Sequence, residues 1–330
     1  NYTDYGWVPV DQDKSGVSKT LAFAFDDGVL AHVAALLNKT DDAVEFGKRS
    51  LNFRNVWYSS GEIMCNRHAS GEFACPISNT IIYPIETAYT EGDAWQWLWF
   101  VPHNVSGLVD LFPSPDAYAT KLNTLFAKTP GWPLENALPD PYYWSGNEPD
   151  LLAPWQFPFA GNQYAHLTQK WTRWELDTYY TTEPRGVPGN DDFGTMSAHA
   201  ALGMLGFYPL SGMQQYVLGS PVFANVTVTP VATAGLTKTP PSLTVVAHNC
   251  GLGEFVCVGE RGTPPPAASS TNIYVTHATI NGKALPTPFV HHDTLFALRG
   301  RPNVLEFFMT DTPTTWADAA TPPFVPPAAK

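Results

Sequence analysis

The stretch GVSKTLAFAFDDGVLAHVAALL, residues 16–37, decides the first half of the fold. Its apolar residues Leu21, Phe25, Val29, Val33 and Leu36 recur every three or four positions, the period of a helix with one apolar face. Ser18 stands where such a helix takes a cap. A second helix is predicted after Thr40, which can cap a first turn carrying Asp41 and Asp42 and leading into Val44 and Leu51. Ser114 followed by Pro115 marks another start, with Leu122, Leu125 and Phe126 as its apolar face. Further helices are predicted over 92–101, 163–181 and 195–205, the last ended by Gly206.

The pattern changes after residue 212. VFANVTVTP, SLTVVAHNC, TNIYVTHATI and NVLEFFMT are short, rich in β-branched and aromatic residues, and bounded by turns, which reads as strands. Asn281-Gly282 between two such runs is a hairpin signal. The stretch GTPPPAASS and the tail after Thr310 read as loops or extended wrapping segments. A helical part followed by a β part implies an α+β chain, divided at 1–211 and 212–330.

With 330 residues, of which 44% are hydrophobic and 13% aromatic, the chain can bury a large core. Eighteen basic residues against 30 acidic ones leave a net charge of -12, which opposes binding to nucleic acid or anionic lipid and suits a small polar partner. No apolar run approaches the roughly 18–20 residues that cross a bilayer. The start, NYTDYGWVPV, does not resemble a signal peptide and reads as the interior of a longer chain or a processed end. Cys65 with Cys75 and Cys250 with Cys257 are close pairs that could each close a hairpin loop, free buried thiols being the alternative. Sequons at Asn1, Asn38, Asn104 and Asn225 point with them to the secretory route.

Three polar clusters interrupt the helical part, each where a helix pair turns. In TEGDAWQWLWF, Glu91 precedes Trp95, Gln96, Trp97 and Trp99. Aromatic walls raise a carboxyl pKa and suit a general acid, whereas a helix N-terminus favours the charged form, so Glu91 is either an acid or a cap. GNEPDLLAPW places Asn147, Glu148 and Asp150 beside Trp144 and Trp155. Those oxygens suit sugar hydroxyls or calcium, and equally a helix-capping turn. GVPGNDDFGTMSA holds Asn190, Asp191 and Asp192 between glycines, a group that can bind a cation, activate water or cap the next helix. Carboxyls at 91 and 192 facing one pocket would make a glycosidase acid and base. His291, His292 and Asp293 are strand neighbours pointing to opposite faces, so no shared ion is expected there. His103 and His199 read as packing or pocket-lining residues. There is no G-x-S-x-G, P-loop or dinucleotide fingerprint.

The same clusters, in this order, resemble glycoside hydrolase family 92, the calcium-dependent exo-α-mannosidases. The matching text includes GVSKTLAFAFDDGVLAHVAALL, EFGKRSLNFRNVW, YTEGDAWQWLWFVPHNVSGL, GNEP, VPGNDDFGTMSAHAALGMLGFYPL, YVLGSPVFANVTV and NIYVTHATINGKAL. The resemblance implies a partial (α/α)6 helical barrel over 1–211, followed by a β-sandwich-like accessory domain over 212–330. It also implies inverting hydrolysis of terminal α-linked mannose, α-1,2 among the linkages, from a mannose-containing glycan. Glu91 looks like the general acid and Asp192 the base, with Asp191 or Asn190 assisting. Trp95, Gln96, Asn147, Glu148 and Asn190 fall in the family's substrate-binding segments, and Gln96, Asn147, Glu148 and Asp192 are candidate ligands for Ca2+.

The chain departs from the family pattern at three places. Asp93 stands where an Asn is common, and Asp150, Leu151 and Leu152 follow GNEP in place of paired histidines. The family's enzymes are about twice this length, so an intact site is expected to require an N-terminal half, which a nicked chain would supply. A non-catalytic carbohydrate-binding or structural protein on the same scaffold is the alternative reading.

Overall fold

The computed structural model describes residues 2–81, 85–129, 141–229, 241–250, 272–298 and 301–316. It is α+β. The helices are α1 (Tyr2–Tyr5), α2 (Gly16–Leu36), α3 (Thr40–Arg49), α4 (Ala94–Trp97), α5 (Val105–Val109), α6 (Pro115–Lys128), α7 (Ala165–Tyr179), α8 (Thr195–Leu205) and α9 (His292–Leu295). Short pairs β1 (Trp57–Tyr58) with β2 (Ile63–Met64) and β3 (Asn66–Arg67) with β4 (Phe73–Ala74) follow α3. The later strands are β5 (Phe207–Pro209), β6 (Gln215–Leu218), β7 (Asn225–Val228), β8 (Leu243–His248), β9 (Tyr274–Ile280), β10 (Lys283–Ala284), β11 (Phe289–His291) and β12 (Asn303–Thr310).

α2 forms where the period predicts, but the face it buries differs. Leu21, Ala24, Ala31 and Ala34 are buried, while Leu30, Val33 and Leu36 stand exposed. The helix is apolar nearly all round, so its small residues can turn inward for close packing and leave the large ones outside. Asp27 is buried on it, accepting from Tyr2 Oη at 3.0 Å and pairing with Arg49 at 2.7 Å, which ties α1, α2 and α3 together. Neither expected cap serves as one. Ser18 Oγ instead donates to the Ala88 carbonyl at 2.9 Å and accepts from the Thr90 N–H at 2.6 Å, and Thr40 is the first residue of α3, with Lys39 before it. α6 starts as predicted, with Ser114 Oγ accepting from the Ala117 N–H at 3.1 Å and Pro115 in the first turn.

The helix expected over 92–101 is a single turn, α4. Its last residue Trp97 and the following Leu98 and Trp99 are all buried, which no one-faced helix permits. The chain tightens there into short-range bonds such as Phe100 N–H to the Trp97 carbonyl at 3.3 Å. The disulfide Cys65–Cys75 closes the β3–β4 loop, with Cα atoms 4.8 Å apart. Of the other expected pair, Cys250 is a buried free thiol among the described residues, and Cys257 lies outside them, as do Asn1 and GTPPPAASS.

A five-stranded sheet in the order β10-β9-β12-β8-β7 and a three-stranded sheet in the order β11-β6-β5 form the β-rich region, which begins with β5, before residue 212. β12 runs parallel to β8 and antiparallel to β9, and its burial alternates strictly, placing Leu305, Phe307 and Met309 inward. Those residues share one core with Phe207, Leu218 and Val290 of the smaller sheet, the packing of a sandwich. Asn281 and Gly282, both at positive φ (52° and 77°), turn β9 into β10 as the Asn-Gly signal predicts. Trp316 in the tail docks into this core, 2% exposed, its Nε1 donating to the Leu285 carbonyl at 3.1 Å.

Candidate active site

Three loops carry the predicted site residues. The first runs into α4. Glu91 is exposed and adopts φ 57°, a left-handed conformation few non-glycine residues take. Behind it a reciprocal cap fixes the helix start: Asp93 Oδ1 accepts from the Trp95 and Gln96 N–H groups at 2.8 and 3.1 Å, and Gln96 Oε1 accepts from the Asp93 N–H at 3.0 Å. Trp97 Nε1 donates to the Thr90 carbonyl at 2.8 Å, holding the residue before Glu91.

The second loop is Trp144–Asp150. Asp150 Oδ2 accepts from the Trp144 N–H at 3.0 Å and draws the loop closed. The Trp144 indole lies so near Gly146 that a Cβ there would meet it at 2.4 Å. Asn147 Nδ2 then donates to the Glu91 backbone carbonyl at 3.0 Å, joining this loop to the first.

The third loop precedes α8. Gly189 takes φ 61° and abuts Gly146, whose carbonyl a Cβ at 189 would meet at 2.8 Å, so only glycine permits this approach. Asp192 and Phe193 are also left-handed, at φ 46° and 58°. Strained backbone of this kind costs of order 1–3 kcal/mol per residue and collects at working sites. The adjacent aspartates divide in role. Asp191 Oδ1 accepts from Ser197 Oγ at 2.6 Å and from the Ser197 N–H, in the first turn of α8, at 3.0 Å; these bonds hold its carboxyl below the usual range. Asp192 is turned instead toward Glu148. Burial, first, and then the Asp192 carboxylate and Glu91 push the Glu148 pKa up.

The structure therefore brings Glu91, Asn147, Glu148 and Asp192 together, with Asn190 exposed beside them. Trp95 is half-buried against Tyr142, ring centroids 5.3 Å apart, with Lys121 Nζ 4.9 Å from its ring. Gln96 is buried beneath the first loop, its Oε1 spent on the cap. Among the described residues no group of three or more His, Cys, Asp or Glu is arranged to hold a metal. The hard oxygen donors of Asn147, Glu148 and Asp192 nevertheless fit calcium in chemistry, since a cation would relieve the like charges that press on Glu148; Gln96 fits less well.

Sequence reasoning named Asp150 among the oxygen donors of the second cluster and Asp93 as a departure from the family pattern, but missed that both are buried below these loops, and it missed Glu175 altogether. Asp93 is fully buried, its Oδ2 lacks a partner, and burial raises its pKa to about 8. Asp150, with Oδ1 unpartnered, is pushed well up by burial, and Glu175 is 1% exposed on α7. The signal was present for Glu175, which lies at i+4 from Trp171 and i−4 from Tyr179 on the buried stripe of its helix.

Residues 1–311 match the glycosyl hydrolase family 92 catalytic domain. Two solved structures of a family GH92 α-mannosidase from Bacteroides thetaiotaomicron are similar. One is 27% identical with a TM-score of 0.77, covering 95% of this chain and 37% of that one. The other, in complex with mannoimidazole, is 26% identical with a TM-score of 0.78, covering 95% of this chain and 38% of that one. An uncharacterized secreted glycosidase of Arthroderma benhamiae is 23% identical over 341 residues, 95% of this chain and 38% of that protein. The chain thus spans well under half the length of the proteins it matches. From the three converged loops and a family match running through nearly the whole sequence, the chain belongs to glycosyl hydrolase family 92.

Proposed function

We propose that this chain supplies the acid and base of an inverting exo-α-mannosidase acting on glycans with terminal α-linked mannose, α-1,2 linkages among them. The carrying observation is the meeting of Glu91 and Asp192, both on left-handed backbone, with Asn147 and Glu148. Glu91 protonates the departing glycosidic oxygen. Asp192 takes a proton from water as that water attacks the anomeric carbon from the opposite face, so the carbon–oxygen bond breaks and β-mannose forms. Inversion calls for carboxyls about 6.5–9.5 Å apart, with room for the water. Asp191 holds α8 beneath Asp192, and Asn147 orients the Glu91 turn. Asn147, Glu148 and Asp192 would hold calcium, which when bound supplies a positive centre for mannose hydroxyls and for ring distortion.

An N-terminal half of the same enzyme, continuous or as a nicked chain, completes the sugar subsite. The exposed Leu30, Val33 and Leu36 on α2 support an apolar neighbour there. The Cys65–Cys75 bridge and the secreted relative support export of the protein. The test is mannose release from α-1,2-, α-1,3- and α-1,6-linked mannobioses by the native assembly, before and after chelation. Release lost with chelator and restored by calcium supports the reading; a folded assembly that releases none, with calcium present, sinks it.

A further inference from the structure

Glu175 stands apart from the proposed acid and base, yet one of its oxygens joins the elements that carry two of the three site loops. Oε1 accepts from Tyr143 Oη at 2.5 Å, from Ser145 Oγ at 2.5 Å and from His199 Nε2 at 2.8 Å. Tyr180 Oη lies 3.3 Å from Ser145 Oγ and closes the cluster. Glu175, Ser145 and His199 are each at most 2% exposed. A buried carboxylate costs several kcal/mol unless hydrogen bonds replace its water. An apolar residue on the α7 stripe would avoid that cost, so packing alone does not account for Glu175.

Two of the donors lead directly to the site. Ser145 lies two residues before Asn147, which holds the Glu91 carbonyl. His199 lies two residues after Ser197, which holds Asp191 beside Asp192. Gly146 and Gly189, the point where the two loops touch, lie in the same segments. We infer that Glu175 is a positioning residue: its carboxylate anchors the 143–150 and 189–195 segments to α7 at once and so fixes the Glu148–Asp192 juxtaposition. Charge-assisted bonds to an ionised acceptor are about twice as strong as neutral ones, which suits an anchor that must hold strained loops.

The kinetic consequence of this inference rests on the hydrolase reading; the structural one does not. The experiment is therefore amide hydrogen exchange on the native assembly carrying Glu175→Gln, together with steady-state kinetics on an α-mannoside. Gln keeps the shape and removes the charge. Exchange is expected to rise about tenfold or more in 143–150 and in 189–195 while α2 is unchanged, and kcat to fall about 10- to 100-fold with KM within about twofold. Ser145→Ala is expected to loosen 143–150 alone and His199→Gln to loosen 189–195 alone. Unchanged exchange in both segments overturns the anchor, as does a uniform rise that includes α2, which would make Glu175 a general stability residue. Segments that loosen in an assembly whose parent releases no mannose uphold the anchor and refute the hydrolase reading instead.

Discussion

Asn147 Nδ2 donates to the backbone carbonyl of Glu91 at 3.0 Å, joining residues 56 apart in sequence. The bond holds a left-handed glutamate against the loop that carries Glu148. Asn147→Ala removes the donor without adding bulk. It is expected to lower kcat/KM about 10- to 100-fold, the scale on which outer contacts orient a site, with the unfolding midpoint nearly unchanged. A loss that tracks stability would deny the bond this role.

The neighbouring aspartates are expected to separate on substitution. Under the proposed mechanism Asp192→Asn removes the base for the attacking water and should cost about 100- to 10,000-fold in kcat. Asp191→Asn weakens the two bonds from Ser197 and should lower the unfolding midpoint slightly, with a much smaller loss of turnover. Kinetics and thermal melts of the two variants side by side make the comparison.

Asp93 links stability to pH. Its folded pKa, raised to about 8 by burial, lies above the unfolded value of 3.8. Between those values the unfolded chain gives up a proton that the folded chain keeps. This contribution is therefore full below about pH 4, declines as pH rises and is lost above about 8. Asp93→Asn keeps an acceptor for the Trp95 and Gln96 N–H groups without the charge. It is expected to flatten the pH dependence over that window and raise Tm near pH 8 by about 2–4 °C or more. A Tm equal to the parent's at pH 8 would contradict it.

Glycan attachment should distinguish the sequons. Asn38 and Asn225 are exposed, the latter on edge strand β7, whereas Asn104 is 3% exposed and its Oδ1 accepts from the Gly107 N–H at 2.8 Å to cap α5. Peptide mapping of protein secreted from a eukaryotic host is expected to find sugar at Asn38 and Asn225 and none at Asn104.

Much of the fold was legible because it is written in local period and turn chemistry. α6 begins at Ser114-Pro115, α8 ends at Gly206 with φ 82°, and β12 alternates over Asn303–Thr310. The Asn281-Gly282 hairpin is of the same kind. What escaped the sequence depends on contacts distant in the chain. α4 stops after one turn because the residues beyond it bury on several sides, and α2 turns its alanines inward because its neighbours lie close. At the site, the residue types of the three clusters were legible, but not their division of labour. Nothing local to GNDD tells that Ser197 captures Asp191, or that Gly189 must pass against Gly146. Glu175 was legible only as a charge on an apolar stripe, because its partners Ser145 and His199 lie 30 and 24 residues away.

The most direct test of the central claim is proton NMR of the first sugar released from an α-mannoside by the native assembly, parent beside Asp192→Asn. β-Mannose is expected to appear first and to mutarotate to the α form, and Asp192→Asn is expected to suppress its release. α-Mannose as the first product, or Asp192→Asn turning over at the parent's rate, would contradict it.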